Sequence, residues 1–266
     1  MRLIDIGANL CNDSFKKDLQ AVIDRAEKNK VSHIIVTGTD ERISEAARKL
    51  AHQHPEYLSS TAGIHPHDAS SFQTSSYDNL LAILADNCVK AVGETGLDFN
   101  RDFSPRQKQI EVFEKHIELA NATNKPLFIH ERDAYPKLAE IITLYRDQFS
   151  EGVVHCFTGE KDALFRYLDL DLHIGITGWV CDERRGKSLA EIVHNIPLNR
   201  LMIETDAPYL LPRDLDPSLL PKPKSRRNEP CHLPHIAAAI AKCYGKEVEE
   251  IAASTSETAQ RFFGLP

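Results

Sequence analysis

Eight short apolar runs punctuate the chain, each closing on Gly, Asp, His or Thr. They are LIDIGANL from Leu3, HIIVTGT from His33, LSSTAGIHP from Leu58, VKAVGETGLD from Val89, PLFIHERD from Pro126, GVVHCFTG from Gly152, HIGITG from His173 and LMIETDAP from Leu201. Nearly continuous aliphatic runs predict strands of a parallel sheet whose outer face is covered. Amphipathic stretches lie between them. Phe15, Leu19, Val22, Ile23 and Ala26 share one helical face. Ser104 and Pro105 read as an N-cap and first helical residue, ahead of a stripe made by Ile110, Phe113, Ile117 and Ala120. Leu233, Ile236 and Ile240 form a third stripe, with Gly245 as the stop. Eight strand–helix units predict an α/β fold closed into a TIM (β/α)8 barrel. The chain shows no repeat, low-complexity tract or linker, so residues 1–266 are expected to form one domain. The long irregular stretch is Pro208 to Pro230, and a loop of that length is commonly functional.

Composition adds bounds. The 266 residues suit one barrel of about 250 residues. A net charge of −7 argues weakly against nucleic-acid binding but permits a local basic groove. The six cysteines form no CxxC pair and read as reduced thiols. The N-terminus lacks an apolar signal core, and no apolar run approaches the roughly 20 residues of a membrane span. A cytoplasmic protein without a membrane partner is expected.

In such a barrel, chemistry collects at the C-terminal ends of the strands. There the sequence places His65 and His67, Glu94 and Asp98, His130 with Arg132, His155, and Glu204 with Asp206. Imidazoles and carboxylates together make divalent-metal ligands. Glu94, His130, His155 and Asp206 are the expected ligand set, with Glu94 able to bridge two ions. Asp206 could ligate, orient the attacking water or act as general base. One histidine at a strand end is more often a structural hydrogen-bonder, but four such residues converging on one mouth outweigh that reading. His65 and His67 either contact a substrate phosphate or shape the turn at Pro66. His116 and His173 read as structural, and His33 lies at the wrong end of its strand. Cys156 is expected to point away from His155 into the barrel wall as a small buried residue. Arg184 and Arg185 follow the seventh strand; Arg213, Lys222, Lys224, Arg226 and Arg227 lie in the long loop. Basic runs are usually solvated surface, but these loops rim the mouth, where guanidinium groups suit phosphate. Phe99, Phe103, Trp179 and Tyr209 fall in the same loops, where they could stack bases or pack the loops.

The strings GIHPHD, GETGLDFNRDFS, HERD, HCFTG, GITGWVCDERRG, IETDAPYLLPRDL and KPKSRRNEPCHLPHI resemble the TatD deoxyribonuclease family across essentially the whole chain. The resemblance implies a TIM barrel of the metallo-dependent hydrolase type that hydrolyses phosphodiester bonds. It implies 3′→5′ exonuclease action on single-stranded DNA and RNA, a part in DNA repair or degradation, and Mg2+ as activator, with Mn2+ or Zn2+ as alternatives. It also implies Glu94, His130 and His155 as ligands and Asp206 as ligand or catalytic carboxylate. The substrate-binding set is then His65, His67, Arg132, Trp179, Arg184, Arg185, Arg226 and Arg227, in an expected monomer. One departure stands out. Many members carry an HxH pair on the first strand, where this chain has Gly7 and Asn9. One protein-held metal site is therefore expected, with the two-metal mechanism left open. The same absence, with Glu94 where a lysine often stands, disfavours an amidohydrolase of small amides or esters. It is the sole support for a non-catalytic barrel.

Overall fold

The apolar runs form strands, as their pattern predicts. In the computed structural model, which describes residues 2–220 and 226–266, eight parallel strands pair in sequence order. They are β1 (Leu3–Ala8), β2 (Val31–Val36), β3 (Leu58–Ala62), β4 (Val89–Asp98), β5 (Leu127–Arg132), β6 (Gly152–Val154), β7 (His173–Ile176) and β8 (Leu201–Ile203). Closure is made by residues just beyond β8. Ala207 bridges Ala8, the Asp206 N–H donates to Gly7 O at 2.8 Å, and Asn9 N–H donates to Ala207 O at 2.7 Å. Glu204 and Asp206 are thereby drawn against the end of β1.

The helices covering the barrel include α1 (Leu19–Lys28), α2 (Glu41–Gln53), α3 (Ser76–Leu84) and α4 (Arg106–Thr123). The second half contributes α5 (Tyr135–Tyr145), α6 (Lys161–Asp169), α7 (Lys187–Ile192), α8 (Leu233–Tyr244) and α9 (Val248–Phe263). Leu233, Ile236 and Ile240 are buried on α8, and Gly245 ends that helix at φ +63°. Phe15 is fully buried but sits in the turn before α1. The start of α4 differs from expectation by one residue: Pro105 is the N-cap. The Ser104 hydroxyl is used elsewhere, accepting from Ser70 N–H at 3.0 Å and donating to His67 O at 2.8 Å. It therefore ties the loop after β3 to the start of α4 instead of capping the helix.

Two apolar layers result. One lies between sheet and helices. The other fills the barrel with Ile4, Ile6, Ile35, Ala91, Phe128, Val153 and Met202, packed on Ala259, Phe262 and Phe263 of α9. Helix α9, beyond the last stripe read in the sequence, meets the N-terminal ends of the strands. Ser256 donates to Arg2 O, Thr258 to Leu198 O and Arg261 to Asn199 O. That end is closed, and the opposite end is left for chemistry. Among the described residues no helix is long and apolar enough to cross a membrane.

Candidate metal centre

Strand β4 must pass very close to β5 to bring Glu94 beside His130. A Cβ at Gly96, whose φ is +137°, would stand 2.1 Å from His130 O. Only glycine allows that approach. With the strands this close, one oxygen of Glu94, Oε1, lies 2.9 Å from His130 Nδ1, 2.8 Å from His155 Nε2 and 3.3 Å from His65 Nε2. Ligand atoms of His65, Glu94 and His130 all fall within 4.8 Å of one another. His65 thus stands among the metal donors, nearer than a substrate contact alone would require. The ring of Phe128 stacks 4.4 Å beneath His155 and floors the site with apolar surface.

A second tier of polar groups fixes these rings. Asp98 Oδ2 lies 2.8 Å from His67 Nε2 and 3.3 Å from His130 Nε2. The backbone N–H groups of Asn100 and Arg101 and the buried side chain of Gln109 hold the Asp98 turn. On the other side Glu204, fully buried, accepts from Cys156 N–H with Oε1 at 2.6 Å and meets His155 Nδ1 with Oε2 at 3.3 Å. A carboxylate behind a ligating imidazole orients the ring and raises its basicity. Sequence reasoning saw Glu204 at the mouth but gave it no role. Gly7 explains its position: a Cβ there would stand 2.3 Å from Glu204 Oε2. The missing first-strand side chain leaves the space that this carboxylate fills. Asn9, at the second departure, donates its amide to Asp206 Oδ1 at 2.9 Å. Residues 7 and 9 therefore support two carboxylates.

Cys156 departs from expectation. Strand β6 ends at Val154, so side-chain alternation no longer applies, and Cys156 adopts φ +47° in the turn that follows. Its thiol is half-buried at the mouth, 3.9 Å from Thr177 Oγ1. Burial, then the charges of Asp206 and Glu204, hold that thiol well above its usual range, so it is a poor nucleophile.

The electrostatics describe a site with surplus negative charge. Burial alone would push the Glu94 carboxyl up, but His155, His65 and His130 together hold it well below the usual range. Burial likewise opposes charging of His155, yet Glu94 and Glu204 hold that imidazole well above its usual value. Asp206 is pushed up to about 8, by burial first and then by Glu94 and Glu204 against the counter-effect of His155. Carboxylates forced together in a buried place, with imidazole nitrogens converging on one oxygen, are relieved by a cation. The donor set therefore fits a divalent metal.

The rim residues divide. The loops after β7 and β8 enclose a cleft of about 560 Å³ lined by Trp179, Arg185, Arg213 and Arg226. The Arg185 guanidinium stacks 4.3 Å over Trp179 and pairs with Asp182 at 3.1 Å. Arg184, Arg132 and Arg226 are exposed. Arg227 turns elsewhere: it binds Asp18 at 2.8 Å and Glu229 at 2.6 Å and lies over Phe15. It anchors the loop to the segment before α1. Phe99 takes Arg106 over its ring at 4.6 Å, and Phe103, 67% exposed, lies 4.8 Å from His67. Tyr209 accepts from Asn12. Lys222 and Lys224 lie outside the described residues.

A family model described as TatD related DNase matches residues 4–264. The chain belongs to the TatD DNase family. Its relatives include proteins named 3'-5' ssDNA/RNA exonuclease TatD from Pectobacterium atrosepticum and Dickeya dadantii. The first is 46% identical over 99% of this chain and 100% of its own length. The second is 45% identical over 98% and 97%. Among solved structures, the TatD homologue YJJV of Escherichia coli K12 superposes with a TM-score of 0.89 at 26% identity, covering 100% of this chain and 99% of that one. As a TatD DNase, this chain departs from the HxH pattern through Gly7 and Asn9 while retaining a dense donor cluster around Glu94.

Proposed function

We propose that the protein is a metal-dependent 3′–5′ exonuclease that hydrolyses phosphodiester bonds of single-stranded DNA and RNA. Mg2+ is the proposed activator, and the protein acts as a cytoplasmic monomer, one domain throughout, in DNA repair or degradation. The observation that carries this reading is the Glu94 oxygen met by three imidazoles at 2.8–3.3 Å. The exposed arginines at the rim, and full-length relatives named ssDNA/RNA exonucleases, support the choice of a polyanion.

Glu94, His130 and His155 would hold the ion, with His65 beside them and Asp206 as a further ligand or as base for the attacking water. Such an ion would supply Lewis-acid polarisation of a phosphoryl oxygen and would make water more acidic. Asn9 occupies Oδ1 of Asp206, which leaves Oδ2 for that role. Glu204 keeps His155 oriented, and Asp98 does the same for His67 and His130. His67, Arg132, Arg184, Arg185 and Arg226 contact phosphates, and Trp179 stacks a base. Arg227, counted in the sequence among the phosphate contacts, instead holds the loop that carries Arg226.

Digestion of a 5′-labelled single-stranded oligonucleotide tests this. A ladder shortening from the 3′ end with Mg2+, lost with EDTA and in Glu94→Ala, is the expected result. An intact oligonucleotide with every divalent ion would move the assignment to a small amide or ester hydrolase.

A further inference from the structure

Among the described residues, two groups of side chains outside the catalytic mouth gather metal-ligand atoms within 4.8 Å of one another: His52–Asp86–Cys88 and Cys181–Asp214–His235. The first is already neutralised, because the Arg48 guanidinium lies 2.9 Å from Asp86 Oδ2, the same oxygen that His52 contacts at 2.7 Å. A cation there would meet an arginine. The second differs. Its carboxylate faces His235 Nε2 at 2.7 Å, and no lysine or arginine pairs with Asp214 among the described residues.

We propose that Cys181, Asp214 and His235 form a second metal site, selective for zinc-class ions over Mg2+, that clamps together the two loops enclosing the rim cleft. The donors come from three separate places. Cys181 ends the short turn Gly178–Cys181 after β7, Asp214 lies in the loop after β8, and His235 is on α8. Cys181 is 6% exposed, whereas His235 is half-buried and Asp214 is exposed. An ion can therefore enter from outside and seat on a buried soft donor. Thiolate, imidazole and carboxylate together suit Zn2+ or Co2+, and the thiolate disfavours Mg2+. Ligand lengths of about 2.3 Å to sulfur and about 2.0–2.2 Å to nitrogen and oxygen place tetrahedral donors about 3.3–3.7 Å apart. The His235–Asp214 pair must open slightly and the farther pair contract, a movement the exposed Asp214 segment can make. Water completes the fourth position. Binding replaces the Cys181 S–H bond with a sulfur–metal bond and releases one proton to solvent.

The site joins functional parts of the rim. Trp179 shares the turn that carries Cys181, and Arg213 adjoins Asp214 while pairing with Glu183 from the other loop at 3.1 Å. None of the three donors hydrogen-bonds to Glu94, His130 or His155 among the described residues, so the proposal stands apart from the nuclease assignment.

The test is a Co2+ titration of chelator-treated full-length protein, read by thiolate-to-cobalt charge-transfer absorption. The expected result is absorption saturating at one thiolate-bound ion per chain, reversed by Zn2+ but not by Mg2+. It should vanish in Cys181→Ser, weaken at least tenfold in apparent affinity in Asp214→Asn and His235→Gln, and persist in Cys156→Ser and Glu94→Gln. The two surface variants carry the test should Cys181→Ser fail to fold. Absence of the absorption in wild type would overturn the proposal. So would absorption that survives Cys181→Ser, or that is unchanged in both surface variants.

Discussion

Glu204 reaches no solvent, and its contacts to His155 and Cys156 give it the geometry of a positioning residue. Replacing it with Gln should weaken metal affinity by about 10–100-fold, the usual effect of losing the group behind a ligand. A Mg2+ activation curve should show this as a shifted midpoint with near-normal plateau activity. Gly7→Ala tests the same carboxylate by crowding it. With Glu204 Oε2 2.3 Å from the new Cβ, overpacking should cost about 1–3 kcal/mol and shift the Mg2+ midpoint as Glu204→Gln does. If the two act through one contact, the double variant should be no worse than the poorer single. Additive losses would place the effect of Gly7 elsewhere. What the sequence offers directly is the set at the strand ends, Glu94, His130, His155 and Asp206, proposed here as the ligands. The partnership of Gly7 with Glu204 and of Asn9 with Asp206 was not legible there, because barrel closure makes those contacts across almost 200 residues. Arg227 was misjudged for a similar reason, since its partner Asp18 is remote in the chain.

Helix α4 supports the mouth from outside. His116, wholly buried, accepts the Ile64 N–H with Nε2 at 2.9 Å, and its Nδ1–H donates to Val112 O at 2.7 Å. It holds the backbone immediately before His65. Burial lowers its pKa from 6.5 to about 4. Between those values the unfolded chain binds more protons than the folded one, so stability is full above pH 6.5 and is lost as pH falls towards 4. The loss attributable to this residue is up to about 3 kcal/mol. Urea denaturation near neutral pH and near pH 4.5 should show a smaller acid loss in His116→Gln than in wild type. His33, His173 and His232, also lowered to about 4, contribute alike to both proteins and cancel in the difference. An equal acid loss would remove His116 as the sensitive group. The long loop offers a second contrast. Arg226→Ala should reduce the salt slope of single-strand binding by about one unit. Arg227→Ala should instead lower stability by about 1–3 kcal/mol, because it removes the guanidinium's bonds to Asp18 and Glu229 and its contact with Phe15. Elements were readable where their pattern is local, as in α1, α4 and α8. The start of α4 slipped by a residue because the Ser104 hydroxyl found partners in another loop.

At the scale of the whole molecule, the barrel is filled from below. Phe262 and Phe263 of α9 pack under Ile4, Ile6 and Met202, remote from every donor at the mouth. Phe262→Ala should cost about 3–5 kcal/mol and lower the denaturation midpoint. Activity per folded molecule should hold at temperatures well below that midpoint. Loss of activity in fully folded protein would mean that the two ends of the barrel are coupled. The same closure bears on how a polynucleotide is handled. A barrel stoppered by its last helix is a blind well, without a rear exit. Each nucleotide cut from the proposed substrate must leave by the opening through which the strand end arrived, and the shortened strand must give way before it does. Departure and re-entry then share one doorway, so free nucleoside monophosphate is the expected competitor of the incoming end.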